Sequence, residues 1–126
     1  MKRAAPAVRA PVALRAVAGV GIWIAPGLTA RLFGFEPNRS RIYVGRLAGS
    51  RQMALAAGAA LSRGDARRLW LRLGLSCDVL DTLAAAVAGI KGDSSPQQAA
   101  GTAAATGVEV ILSTLALATH AAEQRS

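Results

Sequence analysis

The chain has 126 residues, a length that suits one domain and one core. It is 52% hydrophobic but only 4% aromatic, and its formal net charge is +8. The single Cys77 excludes an internal disulfide, and the single His120 excludes a histidine-based metal cluster, so neither metal nor cofactor is expected. The arginines form no stripe interleaved with aromatics, so nucleic acid is not an expected partner; membrane lipids, with anionic headgroups, suit arginines that flank apolar runs.

Residues 1–30 read MKRAAPAVRAPVALRAVAGVGIWIAPGLTA, a basic opening followed by an apolar run. A cleaved signal needs small residues before the cut, and Leu28 stands where one is required, so an uncleaved first span over roughly 11–27 is expected. Pro26-Gly27 stops it, and LTARLFGF (28–35) reads as a short amphipathic turn at the membrane interface. A second span is predicted over 42–61, and a third over 67–90 after the turn SRGD (62–65). The fourth covers 96–122, with Ser94 or Ser95 as N-cap and Pro96 at the first helical position.

No period-two alternation occurs, so strands are not expected. Each run reaches or approaches the roughly 20 residues that cross a bilayer core. The predicted fold class is therefore all-α, a four-helix transmembrane bundle forming one domain over residues 1–126. Lys2, Arg3 and Arg9, with Arg15 at the entry end, are counted to the flank of the first span, and Arg63, with Arg67 and Arg68 at the entry end, to that of the third. Arg31, Arg39, Arg41 and Lys91 lie on the other side, so the balance of charge sets both termini in the cytoplasm.

The second span carries Arg46 and Arg51 among alanines, and intramembrane arginines are costly and generally paired. The third span offers Asp78 and Asp81, three residues apart and hence on one helical face. These are the expected partners of the two arginines. Gly45 and Gly49 form a small-xxx-small pair that admits close packing, either within the chain or in a homo-oligomer. On the fourth span Thr102, Thr106, Glu109 and Ser113 make one polar stripe, with His120 near its end, and the stripe is expected to face inward.

Three pieces of the chain resemble a family of small bacterial four-helix membrane proteins of unknown function. They are Pro26 with Phe33-Gly34; Arg46, Gly49 and Arg51 followed by Leu55 and Gly58; and Asp78 with Asp81. The resemblance spans about residues 15–90, and Gln52 departs from it where an acidic residue is frequent. It implies a multi-pass protein of the bacterial inner membrane and supplies no reaction.

Converging carboxylates and arginines support two functional expectations. In the first, a lipophilic small molecule is bound or transformed by cofactor-free acid/base chemistry: epoxide opening, cyclisation or isomerisation. The catalytic set would be Asp78 or Asp81 as acid or base, Glu109 as second carboxylate and Arg51 as charge stabiliser. Arg46, Trp23, Met53, Thr106 and Ser113 would line the substrate site. In the second, the chain is a non-enzymatic accessory or oligomer-forming membrane subunit, and its ion pairs set helix packing.

Overall fold

A computed structural model describes residues 3–126. It is all-helical among those residues, with five helices: α1 (Pro6–Ile24), α2 (Pro26–Leu32), α3 (Arg39–Leu61), α4 (Gly64–Lys91) and α5 (Pro96–Arg125). Local chemistry accounts for the boundaries. Proline opens α1, α2 and α5, where its missing N–H would have no helical partner in any case. Pro26 also bars Ala25 from helical geometry, which ends α1.

The Phe33-Gly34 turn closes α2 as a Schellman motif. Gly34 takes φ +77°, its N–H bonds the Arg31 carbonyl at 3.0 Å, and the Phe35 N–H bonds the Ala30 carbonyl at 2.9 Å. Asn38 caps α3 by accepting from the Arg41 N–H. Ser95, with Gln98, forms a full capping box on α5. The Gln98 side chain also donates to the Gly34 carbonyl at 2.7 Å, which ties the start of α5 to the end of α2.

The long helices alternate in direction. α1 packs against α3 and α5, and α4 packs against the same two, while α1 and α4 face each other without backbone contact among the described residues. The α1–α3 crossing is the closest approach. A Cβ on either Gly19 or Gly49 would lie 2.9 Å from the other residue's carbonyl oxygen. Gly49 is thus consumed inside the chain, and Gly45 faces Ile22 of α1.

Burial runs opposite to the pattern of a water-soluble protein. The buried apolar residues are Val8, Leu55, Leu71 and four alanines, alongside buried Arg15, Asp78, Glu109, Ser113 and His120. Large aliphatic side chains such as Val17, Ile24, Leu80, Ile90 and Ile111 point outward on α1, α4 and α5. Those three helices are long and apolar enough to cross a membrane. α3, expected to be a fourth such span, is not, because Arg46, Arg51 and Gln52 interrupt its alanines. The first helix starts at Pro6 rather than near residue 11, which puts Arg15, counted to the basic flank at the entry of the span, at the tenth of 19 helical positions.

Gly49→Val should therefore force α1 and α3 apart, costing about 1–3 kcal/mol. Gly101→Val, on α5 with nothing within 4 Å of its added Cβ, should leave thermal unfolding in detergent unchanged or slightly raised.

Candidate functional site

At mid-height the side chain of Arg15 leaves α1 and crosses the interior to α4. Its position follows from helical spacing: Val8, Pro11, Arg15 and Gly19 recur at steps of three and four and are all buried. Space for the guanidinium comes from α4, where a Cβ on Gly74 would sit 2.9 Å from Arg15 Nη2.

Arg15 Nη1 donates to Asp78 Oδ1 at 3.0 Å and to Gln52 Oε1 at 2.8 Å. Nη2 donates to Asp78 Oδ2 and, at 3.0 Å, to Ser113 Oγ. Ser113 in turn donates to Asp78 Oδ2 at 3.4 Å. Glu109 Oε2 lies 4.0 Å from Arg15 Nη2 and has no hydrogen-bond partner. Four helices thus contribute to one cluster centred on a cation. Asp78 is 0% exposed and Arg15 is 4% exposed. Two opposed charges at such a depth are stable only together: the removal of water is costly for each, and the bidentate pairing offsets it.

One turn along, the hydroxyls of Thr82 and Thr106 bond each other at 2.7 Å, and Thr82 also donates to the Asp78 carbonyl. The polar stripe of α5 does face inward: Glu109 and Ser113 are in the cluster, and His120 Nε2 bonds the Gly64 carbonyl at 3.0 Å near the helix end.

The expected site residues fall into separate places. Asp78, Glu109 and Ser113 meet, but around Arg15 rather than around Arg46 and Arg51. Asp81 does pair with Arg51, on the flank between α3 and α4, with side chains 29% and 41% exposed. Asp78 and Asp81 part because three residues turn a helix through about 300°, which leaves them roughly 60° apart. Arg46 stacks over Trp23, 5.5 Å from the ring centroid, while Trp23 Nε1 donates to Ser50 Oγ at 2.8 Å. That pair lies on the outer surface of α1 and α3. Met53 packs against Gly19 at the helix crossing.

Sequence reading missed Arg15 and Gln52 as cluster members. The signal for Arg15 was its place in the 8–11–15–19 stripe. Gln52 was visible only as a departure from an acidic preference, and its amide serves here as a neutral acceptor for the arginine.

Chemically, both Asp78 oxygens are engaged, so a substrate would have to displace Arg15 or Ser113 to reach them. Glu109 Oε2 is a buried carboxylate oxygen of the cluster with no hydrogen bond. Two open hollows lie elsewhere, near Arg3 and Arg67, and neither is bordered by Asp78, Asp81 or Glu109.

Asp78→Asn should destabilise the protein by about 3–5 kcal/mol, since it leaves a buried guanidinium without its counter-charge. Asp81→Asn, on a pair whose side chains are 29% and 41% exposed rather than buried, should cost less than Asp78→Asn. Thermal unfolding of the two variants in one detergent gives the ratio directly.

Comparison of the chain with protein-family models, with curated proteins and with solved structures finds no match.

Proposed function

We propose that the chain is an integral membrane protein, a four-helix bundle of α1, α3, α4 and α5, acting as a non-enzymatic subunit whose ion pairs set helix packing. The observation that carries this reading is the closure of the central cluster. Arg15, Asp78 and Ser113 are buried and bonded to one another, and an interior charge pair of this kind favours one helix arrangement over its alternatives. Apolar outer faces on α1, α4 and α5 support the membrane setting. Location in the bacterial inner membrane with both termini cytoplasmic belongs to the same proposal, as does membership of the family that the Arg-x-x-Gly-x-Arg and Asp-x-x-Asp motifs resemble. Arg51 with Asp81, and Gly49 in the α1–α3 crossing, support a packing role for those motifs.

A second observation favours an oligomer-forming subunit. Arg51 and Asp81 stand side by side and half exposed at mid-height on the flank of α3, the helix least suited to lipid. Tyr43, Leu47, Ser50, Ala54, Ala57 and Leu61 are exposed along α3 at alternating steps of four and three. This seam has small residues at its centre, which is the form that close helix pairing takes in membranes. A second copy related by a two-fold axis would set each member of the Arg51–Asp81 pair near its opposite.

Two measurements test these readings. Arg15→Met with Asp78→Leu replaces the pair by apolar groups and should keep the fold, at a cost well below that of Asp78→Asn alone. Organic extracts of that variant and of the natural chain should hold the same small molecules. A lipophilic compound present in one and missing or altered in the other would move the assignment to acid/base chemistry. For the oligomer, Ala54→Cys in a Cys77→Ala background should cross-link to a second copy in native membranes, while Val108→Cys on the outer face of α5 should not.

A further inference from the structure

One end of the molecule is built from the start of α1, the α3–α4 turn and the end of α5. Two adjoining hollows open there, each of about 430 Å³, and they share Arg3, Ala4 and Arg67. The first is polar. Arg3, Arg63, Arg67, Gly64 and His120 line it, and Glu123 is the carboxylate side chain on its wall. The second is an apolar groove between α1 and α3, walled by Val8, Val12, Ala13, Ala59 and Ala60, with Arg9 also on its lining.

Three further observations single out the polar hollow. α4 begins there without a side-chain cap, as does α1 at the same end, whereas α3 and α5 are capped; Asp65 in the first turn of α4 offsets part of its positive end, and the free backbone N–H groups are left to other acceptors. Arg67 Nε donates to the Ala59 carbonyl at 3.0 Å, which anchors this guanidinium where the two hollows join. His120 is 2% exposed and on the hollow's lining, and its Nδ1 has no partner. An oxyanion fits this setting: helix N-termini and arginines are the groups that recognise phosphate.

We propose that this end binds one anionic phospholipid, with the phosphate in the polar hollow between Arg63, Arg67 and the start of α4, and an acyl chain along the α1–α3 groove. Charge and shape both select that occupant. Three arginines outnumber the single carboxylate side chain of the polar hollow, and the adjoining groove offers alanine and valine to a hydrocarbon chain. The site rests on the membrane reading above, since a groove that faced water would have no use for an acyl chain.

The test uses the full chain purified in neutral detergent, with thermal unfolding and native mass spectrometry as readouts. Phosphatidylglycerol should raise Tm by several degrees and persist as a one-to-one adduct, while phosphatidylcholine and inorganic phosphate should do neither. Arg63→Gln with Arg67→Gln should abolish the shift, and Arg39→Gln with Arg41→Gln at the opposite end should preserve it. Ala13→Phe fills the exposed groove without touching a charge and should weaken retention of the lipid at least tenfold, which keeps the proposal testable should the arginine variant fail to fold. Equal shifts with phosphatidylcholine, equal loss in the opposite-end variant, or a full shift with inorganic phosphate would each overturn it. Alkaline carbonate extraction separates the two levels: release of the chain sinks the membrane reading, whereas a retained chain indifferent to phosphatidylglycerol sinks the lipid site alone.

Discussion

Everything at the centre of this protein is arranged around one guanidinium. Arg15 has to be discharged by Asp78, and its remaining donors have to find Gln52 and Ser113, because an unpaired cation in an alanine-lined interior would cost more than the small core returns. The packing follows from that requirement. Gly74 is a glycine because the arginine occupies the volume a side chain would take. α1 and α4 do not touch along their backbones, and the pair spans the space between them.

The apolar groups carry less of the specificity. Alanines, Val8, Leu55 and Leu71 fill the gaps but offer few shapes that would distinguish one helix register from the next. Hydrogen-bonding geometry discriminates more sharply, since a shift of one helical turn would part Arg15 from both Ser113 and Asp78. The Thr82–Thr106 bond and the His120 contact to Gly64 repeat the same device along the α4–α5 seam, above and below the cluster. Gly19 and Gly49 do the corresponding work between α1 and α3 by shape alone.

Much of this is legible in the sequence itself. Helix positions followed from Pro26, Pro96 and the Phe33-Gly34 turn, whose stereochemistry is local. The inward stripe of α5 followed from the spacing of Thr106, Glu109 and Ser113. The partnership of Arg51 with Asp81 could also be anticipated, because both lie at the middle of neighbouring helices. Arg15 could not be read as easily. Arginine near a basic terminus has the same composition signature whether it flanks a span or lies within it, and only the helix start at Pro6 separates the two. The polarity of α3 was underestimated for a related reason: its alanines look apolar in number, yet three polar side chains near its middle outweigh them. Neighbour relations among helices, which decide that Asp78 meets α1 rather than α3, have no local signature at all.

The central pair also fixes an order of events. Arg15 and Asp78 are 63 positions apart, and Ser113 lies a further 35 beyond Asp78. At a synthesis rate of about 5–20 residues per second, the arginine waits roughly 3–13 s for its carboxylate. During that interval α1 carries an uncompensated charge at its midpoint, so its settled burial must await α4, and the hydroxyl that completes the cluster comes later still. α1 thus emerges well before the helix that locks it in place, and a fragment ending short of Asp78 cannot make the contact that holds the chain in its final arrangement.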